Sequence, residues 1–153
     1  MRRVLFTAST YSHIINFHRP YLREFKRRGW QVDVACGGTV MAIPEADRVI
    51  HIPFEKSMAS MQNAHAMLLL RRLIRSRRYE LVSCHTSLAA FFTRMAVRAM
   101  RRRPKVVCTA HGYLFTDGSP GKEQLLLSAA EALAAPVTDL LLTMNSWDDQ
   151  YAR

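Results

Sequence analysis

The chain has 153 residues, 49% of them apolar, which is enough for one domain with a buried core and excludes wholesale disorder. Its 22 Lys and Arg against 12 Asp and Glu leave a formal charge of +10. That balance points to an anionic partner: nucleic acid, acidic lipid headgroups or a phosphorylated substrate.

In chain order, short β-rich runs alternate with longer helical patterns. "RVLFTA" (3–8) reads as the first strand, and "HIINFHRPYLREFKRRG" (13–29) as a helix with Pro20 near the first turn of its main part and Gly29 placed to end it. "WQVDVAC" (30–36) is a second strand, stopped by Gly37-Gly38, and "RVIHIP" (48–53) a short third. Residues 63–78 form a helix, "ELVSCH" (80–85) a strand and residues 87–100 a helix. "KVVCTA" (105–110) is a fifth strand, 122–135 a helix and "DLLLTM" (139–144) a sixth strand. "NSWDDQYAR" then starts another helix, with Asn145 or Ser146 as cap and Asp148 and Asp149 in the first turn.

Continuous apolar strands alternating with helices imply an α/β domain with a parallel sheet covered on both faces. The right-handed crossover rule favours a Rossmann-like doubly wound sheet of order 3-2-1-4-5-6. Cys36, Cys84 and Cys108 lie in strand-like runs without metal-ligand spacing and read as small buried hydrophobes. No apolar run reaches the ~18 residues of a spanning helix, and "MRRVLFTAS" has no signal-type region. The expectation is a cytoplasmic protein able to lie against the inner face of the membrane.

In such a sheet, ligands bind beyond the carboxyl ends of the strands where the order reverses. Here those ends carry "STYSH" (9–13), "CHTS" (84–87) and "AHGY" (110–113), so Thr10, Tyr11, Ser12, His13, His85, Thr86, His111, Gly112 and Tyr113 are candidates for one cleft. Each histidine has an alternative as a residue satisfied by a backbone carbonyl. Gly37 reads either as a tight turn or as a close backbone approach to a ligand or facing domain. GxGxxG, GxxxxGK[ST] and GxSxG motifs are absent, which excludes the usual dinucleotide, P-loop and nucleophile-elbow chemistries.

Arg71, Arg75 and Arg78 fall at i, i+4, i+7 on one helix, and Arg94, Arg98 and Arg101 repeat that spacing on the next. The two stripes read as ordinary solvated faces or as one basic surface. In the second case Arg71, Arg75, Arg94 and Arg98 meet acidic lipid. Nucleic acid is not expected, because Phe91 and Phe92 sit in an apolar stripe and are not interleaved with the arginines.

"SHIINFHRPYLREFKRRGWQVDVACGG", "CHTSLAAFFTRMA", "TAHGYLF..G.P" and "AAEALAAPVTDLLLTMNSWD" together resemble the N-terminal domain of bacterial glycosyltransferases of family 4, in the branch that builds capsular and exopolysaccharides. The resemblance implies one half of a GT-B architecture. Residues 1–144 would be the acceptor-side domain, and 145–153 the start of a helix leading to a missing C-terminal donor-binding domain. It implies retaining, hexosyltransferase-type transfer from a nucleotide-sugar, a co-substrate, to a lipid-linked or glycan acceptor. No metal or other cofactor is expected, and the isolated domain should be inactive. By motif, His111 would face the transferred sugar and Gly112 would let backbone approach. His85 and Thr86 would line the acceptor side, and the 10–18 segment with His13 and His18 would close the cleft. Where many members of the family carry a Gly-Gly loop after the first strand, this chain has "ASTYSH". The rival reading is a freestanding Rossmann-like regulatory module whose basic face meets nucleic acid.

Overall fold

The strands β1 (Arg3–Ala8), β2 (Gln31–Cys36), β3 (Arg48–His51), β4 (Leu81–His85), β5 (Lys105–Ala110) and β6 (Leu140–Thr143) form one parallel sheet of order 3-2-1-4-5-6, as the alternation of elements predicts. The computed structural model describes residues 1–98, 100–110 and 121–152. The helices are α1 (Tyr11–Phe17), α2 (Arg19–Arg27), α3 (Met61–Arg77), α4 (Ser87–Arg98), α5 (Gly121–Ala134) and α6 (Ser146–Ala152). None among the described residues is long and apolar enough to cross a membrane.

The period of two in the strands divides the core between the faces. Val4 and Phe6 of β1 join Val32 and Val34 of β2 under α1 and α2, where Tyr11, Ile14 and Leu22 meet them. Leu5, Ala35, Val82, Cys84, Val106 and Cys108 point the other way and pack against Leu70 and Ile74 of α3 and Ala90 and Val97 of α4. Every one of these side chains is buried, each worth roughly 1.5–3 kcal/mol if it is as large as Val or Leu. Cys36, Cys84 and Cys108 are free thiols within this core.

Where one helix is predicted over 13–29, the chain makes two. His18 at the junction still donates its N–H to Ile14 O, and its own carbonyl accepts from Tyr21 and Leu22. Pro20, the second residue of α2, has no N–H to continue the earlier ladder. The break turns the His18 ring inward, where it is 5% exposed. At the end of the chain, Asn145 caps α6 by accepting from the Asp148 N–H at 2.8 Å, which settles the choice between Asn145 and Ser146.

Candidate active site

The sheet order reverses between β1 and β4: the chain leaves β1 for α1 on one face and leaves β4 for α4 on the other. The crevice between these two exits is where a ligand meets strand ends in this class of sheet. Two side-chain systems occupy it.

The first is a hydroxyl strap. Ser9 donates its N–H to Thr86 Oγ1 at 2.9 Å, and the two hydroxyls are 2.7 Å apart. Thr86 holds φ +62°, a left-handed conformation that is unusual for a β-branched residue and costs on the order of 1–3 kcal/mol. The strap and the Ala90 N–H, bonded to Thr86 O at 2.8 Å, hold the residue in that conformation. Gly37 passes directly below. A Cβ there would lie 2.9 Å from Ser9 O and 3.2 Å from Ile52 O. The close approach anticipated for Gly37 is thus made to the chain's own backbone.

The second system is a column of imidazoles. Ser83 Oγ lies 2.9 Å from His85 Nε2 at its foot. The His85 ring stacks on His18 at 3.7 Å and lies nearly parallel to Phe6 at 5.9 Å, and Phe6 is itself 6.5 Å from His18, so the three rings meet at a corner. His18 Nε2 is 3.3 Å from His13 Nε2, so one ring donates to the other. Burial grades along the column: His85 and His18 are buried, while His13 is half-buried and forms the outer end. Imidazoles joined ring to ring in this way are the side-chain type suited to accepting or passing a proton near neutral pH.

One ring nitrogen from each of the three lies within 4.8 Å of the others, a spacing within reach of a metal ion. The ring planes argue otherwise. His18 and His85 are stacked at an interplanar angle of 30°, so their in-plane lone pairs run side by side and do not converge on one point.

The structure brings His13, His18, His85 and Thr86 together at one crevice, with Thr10 and Ser12 exposed at its mouth and bonded hydroxyl to hydroxyl at 3.1 Å. Two expectations need correction. Tyr11 is 1% exposed and donates its hydroxyl to Ile50 O at 2.9 Å, tying α1 to β3. Burial pushes its phenol up to about 12, so it serves the core and does not line the crevice. Arg94, read as part of a lipid-facing stripe, is 2% exposed. Its guanidinium grips Glu131 of α5 through two bonds of 2.8 and 2.7 Å, while Nε donates to Ala90 O. Burial opposes the Arg94 charge, but the Glu131 bonds outweigh it and raise the pKa. Arg98 is exposed but spends a guanidinium N–H on Leu133 O. Arg71 and Arg75 remain at the surface of α3, half-buried and exposed respectively. His111, Gly112 and Tyr113, which follow β5, lie outside the described residues.

Two features escaped the sequence reading. The Ser9–Thr86 strap pairs residues 77 apart and has no local signal. Ser83 has one: it stands two residues before His85 on a strand, and that period puts both on one face.

A doubly wound parallel sheet with a polar crevice at the β1/β4 reversal is a Rossmann-like domain, and solved structures share that fold. The chain aligns over 99% of its length with 44% of a UDP-N-acetylglucosamine 2-epimerase, at a TM-score of 0.69 and 18% identity. It also aligns over 99% of its length with 81% of a sucrose-phosphate synthase structure from Thermosynechococcus elongatus, at 0.65 and 14%. At those identities the likeness is one of fold.

Sequence narrows the class. Residues 21–147 match Glycosyltransferase Family 4, and the chain is 36% identical over 148 residues to EpsD of Bacillus subtilis (strain 168), named as a glycosyltransferase. The chain belongs to Glycosyltransferase Family 4 and corresponds to its N-terminal domain. It spans 96% of itself but 39% of that relative's length.

Proposed function

We propose that this chain is the acceptor-side domain of an enzyme that moves a hexose, with retention of configuration, from a nucleotide-sugar to a lipid-linked or glycan acceptor in polysaccharide synthesis. The observation that carries this reading is the imidazole column at the β1/β4 crevice of a family 4 domain. In the proposal His13, at the outer end, contacts the acceptor hydroxyl and holds its proton. His18 fixes the His13 ring by hydrogen bond, and His85 fixes His18 by stacking.

His111, following β5 beside β4, faces the transferred sugar, and Gly112 and Tyr113 line the same side. Thr10 and Ser12 border the acceptor entrance. Charge on the departing nucleoside diphosphate is stabilised mainly by a second, donor-binding domain, so this chain alone transfers no sugar. No metal takes part, and the enzyme works at the cytoplasmic face of a membrane. Family membership weighs against the freestanding nucleic-acid module.

The test is sugar transfer by the full-length protein from a panel of nucleotide-sugars to membrane extracts, with and without chelator. Wild type should transfer from one donor, His13→Ala and His111→Ala should each lose on the order of 10²–10⁴-fold in rate, and chelator should change nothing. Transfer at the wild-type rate by His13→Ala would remove the role given to the column.

A further inference from the structure

At the edge of the sheet opposite the crevice, an open groove of about 1160 Å³ lies between the end of α3, the loop after α4 and the starts of β4 and β5. We infer that this groove is a binding site for clustered phosphate groups. The inference does not rest on the proposed transfer reaction.

Charge carries it. Arg71, Arg75 and Arg78 line one wall, and Arg101 and Arg102 face them from the loop. Arg103 and Lys105 also border the groove, but both are drawn to Asp139, at 2.5 and 3.0 Å. Glu80, the acid on the lining, already has Arg2 at 3.8 Å. No ion pair among the described residues engages Arg75, Arg78, Arg101 or Arg102, and all four are exposed. Helix C-termini do favour cations, which accounts for one or two arginines at the end of α3. It does not account for guanidinia converging from two separate segments on one concavity, where like charges repel.

Backbone adds a second observation. Arg78 caps α3 at φ +53°, ψ +56°, the left-handed position that glycine occupies most cheaply. An arginine held there places its guanidinium at the groove at an energetic cost that glycine would avoid. The ligand class follows from the density of charge. Guanidinium forks pair bidentately with phosphate oxygens, and several within one concavity call for linked or crowded phosphates in preference to a single carboxylate. Two sources supply that chemistry: a soluble polyphosphate and the headgroups of anionic lipids.

The probes are inorganic tripolyphosphate, followed by calorimetry, and flotation with phosphatidylglycerol-containing vesicles against phosphatidylcholine vesicles. The groove variant carries Arg75→Gln, Arg78→Gln, Arg101→Gln and Arg102→Gln. A charge-matched control carries Arg23→Gln, Arg27→Gln, Arg28→Gln and Arg48→Gln, all exposed and remote from the groove. Urea unfolding confirms that both fold. Wild type should bind, the groove variant should weaken by about tenfold or more, and the control by less than about threefold, with all affinities falling as salt rises. Binding of tripolyphosphate alone supports a soluble ligand, and binding of anionic vesicles supports lipid headgroups. Equal weakening in the two variants, or no binding of either probe by wild type, overturns the site.

Discussion

Replacing Arg94 by Met tests whether α4 turns a basic stripe to solvent or buries a salt bridge. The substitution keeps an unbranched chain of similar reach and removes three hydrogen bonds, two of them charge-assisted to Glu131. Breaking a buried pair by removing one partner costs about 3–5 kcal/mol, chiefly because the survivor keeps its charge without compensation. Here the partners differ. The Glu131 side chain is 28% exposed and regains some hydration alone, whereas Arg94 is 2% exposed and cannot.

Arg94→Met should therefore cost about 3 kcal/mol, and Glu131→Gln should cost more, toward the upper end of that range. The double variant Arg94→Met/Glu131→Leu, which removes both charges, should return to within about 1 kcal/mol of wild type. Urea unfolding reads all three. With a slope near 2 kcal/mol/M, Arg94→Met lowers the midpoint by roughly 1.5 M. A change below about 0.5 kcal/mol, the range of ordinary surface substitutions, would refute the burial argument. So would a Glu131→Gln variant clearly milder than Arg94→Met, because it would put the greater desolvation on the wrong partner.

Gly37→Ala should destabilise by about 1–3 kcal/mol, since the new Cβ meets backbone oxygens of Ser9 and Ile52, which cannot swing aside like a side-chain tip; an unchanged thermal midpoint would contradict it. Tyr79→Phe removes a 2.5 Å bond to Asp33, fully buried in β2, and leaves Arg77 at 3.4 Å as a weak substitute; a loss of about 1–3 kcal/mol in urea is expected. Acid should weaken the fold through carboxylates held low. Arg103 foremost holds down Asp139, Arg19 holds down Glu45, and Arg27 and Arg28 bring Glu24 to about 2. A depressed folded pKa stabilises fully above the unfolded value of about 4 and loses that stability as pH falls through the folded value. Urea midpoints should thus decline between about pH 5 and pH 2, and Asp139→Asn should flatten the decline.

The sheet order was legible because the strands are predominantly apolar and helical segments separate all of them except β2 and β3, which a loop joins. Element ends shifted by a residue or two, as fraying ends do. The division of the first helix was half legible: Pro20 was visible, but the inward turn of His18 depends on the Phe6 and His85 rings that receive it. Arg94 was misread although a local signal existed. Its helical neighbours Ala90 and Val97, at i−4 and i+3, are apolar, which sets Arg94 on the core-facing side. What sequence could not supply is the partner, Glu131, which lies 37 residues downstream. On the second helix the row is cut short, because α4 ends at Arg98 and Arg101 falls in the loop beyond it. Only on α3 does the arginine spacing describe a solvent-facing row.

This correction changes how the net charge of +10 is to be read. Much of the positive charge is matched locally: Arg19 and Arg23 on Glu45, Lys26 on Asp47, Arg27 and Arg28 on Glu24, Arg94 on Glu131, Arg103 and Lys105 on Asp139. A concentrated part of the excess gathers around one groove at the amino-terminal edge of the strands, while the carboxyl edge carries hydroxyls and imidazoles. Strands of five or six residues separate the two edges by about 17–20 Å. At 0.1 M salt the screening length is about 10 Å, so the groove's field is strongly attenuated through solvent before it reaches the crevice. The anion that the composition demands therefore need not be the substrate at the crevice. Charge at one edge can hold the protein to a phosphate-bearing partner, as inferred for the groove, while the imidazoles at the other edge keep the role proposed for them in transfer. Salt should then weaken the first without directly altering the second.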